Sequence, residues 1–143
     1  MGASGNEIKG DVFYIDPPYN SRQYSDTYHL LDNLALWKKP EVFGKAKKMN
    51  RSHIKSKYCS KDAVLEFQDL ITKLNTKHII VSYNNTENTK HGRSNAKISF
   101  NQIKKILMKK GKTEINQIDF KAFTTGKSKT ENHKEILFYC RVK

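Results

Sequence analysis

The stretch from Asp11 to Tyr19, DVFYIDPPY, decides how the chain is read. A short apolar run closes on an acid and two prolines that cannot continue a ladder, which predicts a buried strand of a parallel sheet over 11–16. Asp16 then stands at the carboxyl end of that strand, where open α/β sheets bind their ligands. A given tetrapeptide such as Asp16-Pro17-Pro18-Tyr19 arises by chance in a chain of this size less than about once in a thousand at average residue usage. The plainer reading of the same residues is a rigid turn with a buried Tyr19.

Working outward, Tyr28 to Lys38 carries Leu30, Leu31, Leu34 and Trp37 at helical spacing, which predicts an amphipathic helix. Ser60 is placed to cap a second helix over about 61–75, with Val64, Leu65, Phe67, Leu70, Ile71 and Leu74 turned inward. His78 to Asn84, HIIVSYN, reads as a second buried strand. Ser99 and Gln102 fit a capping box that opens a helix stopping at Gly111. The remainder alternates in two runs, one through Ile115, Ile118, Phe120 and Phe123, the other through Ile136, Phe138 and Cys140. With the polar loop Thr124 to His133 between them, these predict a closing hairpin. The fold class is therefore α/β, order β-α-β-α-β-β, with parallel strands joined by right-handed crossovers and a C-terminal antiparallel hairpin. Residues 1–10 read as a frayed leader and 11–143 as one domain, with a basic loop over about 38–60.

The chain of 143 residues carries 27 Lys and Arg against 14 Asp and Glu, a net charge of +13. Such a surplus suits nucleic acid or an anionic surface. It also fits the Lys-, Asn- and Ile-rich usage of an AT-rich genome, since only four of the cations are Arg. The distribution is more informative. From Lys38 to Lys57 there are eight cations and one acid, Glu41, so twenty residues hold +7 of the charge. A solvated lysine loop accounts for this stretch, and phosphate contact does so equally well given its place after the prolines. No apolar run reaches the ~20 residues of a membrane span, and no secretory signal opens the sequence. Cys59 and Cys140 have neither metal-ligand spacing nor the pattern of a disulfide framework, and the histidines have no ligand spacing either. The expected setting is cytoplasmic, with no membrane partner and no metal.

FYIDPPYN followed by YSDTYHLLDNLALW resembles the catalytic motif and flank of S-adenosylmethionine-dependent adenine-N6 methyltransferases, the restriction-modification type above all. IIVSYNN and HKEILFYC are similar to later strands of that family, in the same order. The resemblance implies a Rossmann-like methyltransferase sheet, double-stranded DNA as partner and S-adenosylmethionine as methyl donor. The chemistry suits the motif. An adenine amino nitrogen is a poor nucleophile because its lone pair is delocalised into the ring. Hydrogen bonds from its two N–H groups to the Asp16 carboxylate and to a backbone carbonyl, which the resemblance places at Pro17, would localise that pair. Both acceptors must be fixed in advance, and two prolines with locked φ supply the rigidity. Tyr19 would stack on the base, which has to leave the duplex to be reached. Catalytic roles thus fall to Asp16, Pro17 and Tyr19. Substrate contacts fall to Pro18, Asn20, Arg22 and Tyr24, and cofactor contacts to Asp16, Tyr28 and His29. Ser82, Tyr83 and Asn84 are further candidates at the end of the next strand; Tyr83 can equally be a packing residue.

The family builds its cofactor site on a Gly-rich strand-to-helix loop, and none of the seven glycines here forms that unit. The expectation is therefore a partial sheet, the C-terminal portion of a methyltransferase. Its motif strand would be a bare apolar edge, open to a second copy or to a complementary N-terminal fragment. Three rival readings stay open: the same chemistry on RNA or another amine, a non-catalytic basic DNA-binding module, and an assembly subunit.

Overall fold

The computed structural model describes residues 7–17, 23–84, 96–119 and 134–143. Among them run β1 (Ile8–Lys9), β2 (Val12–Ile15), α1 (Tyr24–Ala35), β3 (Val42–Phe43), β4 (Lys48–Met49), α2 (Ala63–Lys73), β5 (Leu74–Asn75), β6 (His78–Asn84), α3 (Phe100–Lys110), β7 (Gly111–Asp119) and β8 (Lys134–Val142). The architecture is mixed α/β around a mixed sheet ordered β2-β6-β8-β7. The β2–β6 pair is parallel, with Val12 beside His78 and Ile15 beside Val81. The β6–β8 and β8–β7 pairs are antiparallel.

One face of this sheet is closed. Ile79, Val81 and Tyr83 of β6 alternate inward and meet Ile136, Phe138 and Cys140 of β8. Over them lie Phe67 and Ile71 of α2 with Ile103, Ile106 and Leu107 of α3. Complete burial of an aromatic such as Phe67 or Phe138 is worth ~1.5–3 kcal/mol of transfer free energy, and these rings anchor the layer. Among the described residues nothing comparable covers the other face, which carries Tyr14, His78, Ile80, Ser82 and Tyr139, and Tyr14 is 63% exposed.

Several local expectations need correction. The first helix begins at Tyr24 and stops at Ala35, because Trp37 adopts a left-handed conformation (φ 51°) that ends it. Trp37 N donates to the Leu34 carbonyl and Lys38 N to the Asn33 carbonyl, a Schellman closure with tryptophan where glycine is usual. Its apolar stripe is not buried: Leu30, Leu31, Leu34 and Trp37 are all exposed. Both helices read before His78 are present, so the order departs from β-α-β-α-β-β by carrying two helices between its first two long strands. Leu65, expected inward on the second, is exposed. The basic stretch 38–60 is not a plain loop. It contains the antiparallel pair β3–β4, turning at Gly44 and Lys47, and two short 3₁₀ turns. Ser60 does not cap α2. Its Oγ accepts from Asp62 N one step earlier, and Asp62 is the cap residue without a side-chain bond. Residues 1–10 are not wholly a leader, since β1 pairs in parallel with β5 and Gly10 N donates to the Asn75 carbonyl. The last hairpin's first strand starts at Gly111 with no intervening loop. A Cβ at Gly111 would sit 2.0 Å from the Arg141 carbonyl oxygen, so only glycine lets α3 run straight into the sheet.

The capping box is present as expected. Ser99 Oγ accepts from Gln102 N, and Gln102 Oε1 accepts from Ser99 N at 2.8 Å. No helix among the described residues is long and apolar enough to cross a membrane.

Candidate active site

Asp16 follows β2 directly, and parallel pairing sets its neighbour: with Ile15 beside Val81, the next step along each strand brings Asp16 to Ser82. The Ser82 hydroxyl donates to Asp16 Oδ1 at 2.7 Å. Ser82 faces the open side of the sheet because Val81 and Tyr83 face the core. The carboxylate is therefore exposed yet oriented by a hydroxyl, at the carboxyl ends of two parallel strands. Pro17, next in the chain, is buried. A fixed carboxylate beside a buried, φ-locked proline is a geometry suited to accepting hydrogen bonds from an amine.

The other expected residues are distributed as follows. Pro18, Tyr19, Asn20 and Arg22 lie outside the described residues. Tyr24 and Tyr28 lie one turn apart on α1 with ring centroids 5.8 Å from each other, both exposed. The structure thus pairs a residue expected at the base with one expected at the cofactor. His29 lies half-buried, and among the described residues its Nδ1 has no hydrogen-bond partner; the same holds for Ser25 Oγ, one turn earlier. Tyr83 is a packing residue, its hydroxyl donating to the Ile98 carbonyl and its ring edge against Phe138. Asn84 ends β6 on the same side as Ser82.

Local order around the site comes from contacts that the sequence pattern does not advertise. Gln23 and Ser56 exchange two hydrogen bonds, Nε2 to the Ser56 carbonyl at 2.9 Å and Ser56 N to Oε1 at 2.8 Å. Arg51 Nε donates to Asp26 Oδ1 at 2.8 Å, and Arg51 Nη1 to the Met49 carbonyl at 3.1 Å. The Arg51 bond holds the Asp26 carboxyl below its ordinary value. Burial pushes the thiols of Cys59 and Cys140 up, which keeps them protonated and unsuited to nucleophilic attack. An open depression of about 440 Å³, lined in part by Lys77, His78, Tyr139 and Arg141, lies at the end of β6 remote from Ser82.

The family model that describes the D12 class N6 adenine-specific DNA methyltransferases matches residues 3–94, most of the chain including β2, α1 and β6. The chain belongs to that class. Among curated relatives, the D12 chain is 38% identical over 128 residues to the type II methyltransferase M.NlaIII of Neisseria lactamica, covering 89% of the chain and 35% of that protein. It is 37% identical over 139 residues to the modification methylase StsI of Streptococcus sanguinis (96% and 20% covered), and 38% identical to M.FokI of Planomicrobium okeanokoites (93% and 20%). The D12 chain thus spans between a fifth and about a third of the length of these relatives. No solved structure matches it.

Membership of a methyltransferase class implies S-adenosylmethionine as methyl donor. The residues present fit the reacting end of such a site better than its nucleotide end. Asp16 and Ser82 offer a fixed acceptor, and His29 Nδ1 and Ser25 Oγ are buried polar atoms with no hydrogen-bond partner among the described residues. Among the described residues no glycine lies in a strand-to-helix turn: Gly10 precedes β2, Gly44 is in the β3–β4 turn, and Gly111 follows α3.

Proposed function

We propose that the chain carries the catalytic, C-terminal portion of a restriction-modification methylase, which transfers a methyl group to the exocyclic amine of an adenine flipped out of double-stranded DNA. The observation that carries this reading is Asp16 at the end of β2 with its carboxylate oriented by Ser82 at 2.7 Å. When bound, S-adenosylmethionine supplies the methyl group on a sulfonium. Asp16 and the Pro17 carbonyl would accept hydrogen bonds from the two amino N–H groups and localise the nitrogen lone pair, Tyr19 would stack on the flipped base, and the one proton shed on methylation would pass by way of Asp16 to solvent. Substrate contacts are assigned to Pro18, Asn20, Arg22 and Tyr24, and cofactor contacts to Asp16, Tyr28 and His29. No covalent intermediate is needed, in keeping with two buried, protonated cysteines.

The sheet is a partial Rossmann-like one, and the uncovered face and the free edge of β2 are where the remaining strands and the Gly-rich cofactor loop belong. A complementary N-terminal portion or a second copy closes that edge, and the work is done on cytoplasmic DNA. The test is transfer of labelled methyl from S-adenosylmethionine to unmethylated genomic DNA by the chain and by its Asp16→Ala variant. Label in the parent that is lost in the variant supports the reading. Label retained in the variant removes Asp16 from catalysis, label on RNA but not DNA changes the acceptor, and tight DNA binding without transfer favours a non-catalytic module.

A further inference from the structure

We infer that Trp37 and the β3–β4 hairpin form a sequence-independent docking surface for the DNA backbone, a proposal that rests on DNA being the acceptor. The chain's single tryptophan is 78% exposed and sits at φ 51°, a conformation L side chains adopt at a cost. Glycine at that position would close α1 equally well, so the fold alone gives no reason for a large ring held out into water. Lys39 Nζ stands 5.9 Å from the ring centroid, so the aromatic surface and a cation are presented together.

The hairpin continues that surface. Phe43 is exposed beside the turn, and Lys45, Lys47 and Lys48 cluster around it. Among the described residues, Lys38, Lys39, Lys45, Lys47, Lys48 and Lys55 form no salt bridge, Lys48 and Lys55 acting on Asp26 only from a distance, whereas Arg51 and Lys57 are engaged directly by Asp26 and Glu66. The unpaired cations are all Lys, compact point charges suited to phosphates rather than the forked guanidinium that reads base edges. The surface is also fixed in place. Gln23–Ser56, Asp26–Arg51 and the Asn33 Nδ2 to Met49 Sδ contact at 3.0 Å fasten the basic segment to α1 along its length. A block tied to α1, with Trp37 and Phe43 exposed among lysines, complements a polyanion.

The test follows Trp37 emission and the polarisation of a short fluorescein-labelled duplex of mixed sequence, using the full chain. Expected are quenching on duplex addition, reversal by salt, and measurably weaker binding by Trp37→Gly, with Trp37→Phe close to the parent. Trp37→Gly should also raise the melting midpoint, because it relieves the left-handed strain; a merely structural tryptophan would lower it and leave DNA affinity alone. Replacing Lys45, Lys47 and Lys48 by Gln should reduce the slope of log affinity against log salt by about 0.9 for each phosphate no longer neutralised. Duplex bound with Trp37 emission unmoved and the slope unchanged overturns the docking surface and leaves DNA as acceptor. No duplex bound at low salt overturns both. Quenching that follows protein concentration without DNA assigns the surface to a second copy and overturns the proposal.

Discussion

Ser82 shows how one hydroxyl gains a role from strand register. Its neighbours Val81 and Tyr83 are committed to the core, so the serine faces outward, and parallel pairing then delivers it to Asp16. Removing it takes one charge-assisted hydrogen bond from the carboxylate without opening a cavity. Ser82→Ala should therefore fold normally and lower the rate of methyl transfer about ten- to a hundredfold, in line with a bond worth ~1.5–3 kcal/mol; an unchanged rate would leave Ser82 with no positioning role. The cysteines make a second prediction at this scale. Both thiols are buried and pushed toward the protonated form, so a thiol reagent at mildly alkaline pH should modify them slowly until denaturant is added. Asp16 is legible from the motif alone. Its partner is legible only once a register is known, because nothing in HIIVSYN says which residue of the neighbouring strand ends opposite it.

The elements differ in how openly the sequence declares them. Strand β6 and helix α3 are plain, one from strict alternation and the other from Ser99 and Gln102. Helix α1 is visible in the sequence but displaced, since the Trp37 that looks like the last member of its apolar stripe is the residue that stops it. The segment 38–60 has the pattern of a loop because its order comes from Gln23, Asp26 and Asn33, distant in sequence and unremarkable in pattern. The Asp26–Arg51 bond makes this order sensitive to acid. A carboxyl depressed in the folded chain contributes its stability in full above its ordinary value of 3.8 and loses it as pH falls through the depressed value. Amide exchange at Lys48 to Arg51 should therefore accelerate below about pH 3.8 before that of β6 does. At the junction of α3 and β7, Gly111→Ala has no room beside the Arg141 carbonyl and should cost ~1–3 kcal/mol or more in denaturant melts.

Over the whole molecule the two faces of the sheet are unequal. The closed face holds the rings of Phe67 and Phe138 with no exposure, and Phe67→Ala should cost ~3–5 kcal/mol in denaturant melts, a large share of the ~5–15 kcal/mol that holds a domain together. The open face ends on β2, an edge strand with Val12 and Tyr14 exposed, and such edges invite another chain. Sedimentation should show association that grows with concentration and is suppressed by Tyr14→Lys. The same inequality gives the sheet a gradient of hold. Strand β8 is bonded on both sides, with seven register pairs to β6 and nine to β7, whereas β2 hangs on β6 by four. Warming should peel the sheet from the β2 side first, parting Asp16 from Ser82 while the rings beneath α2 and α3 are still packed. Heat would then silence the chemistry several degrees before a calorimeter records the core giving way, and brief cooling would restore it.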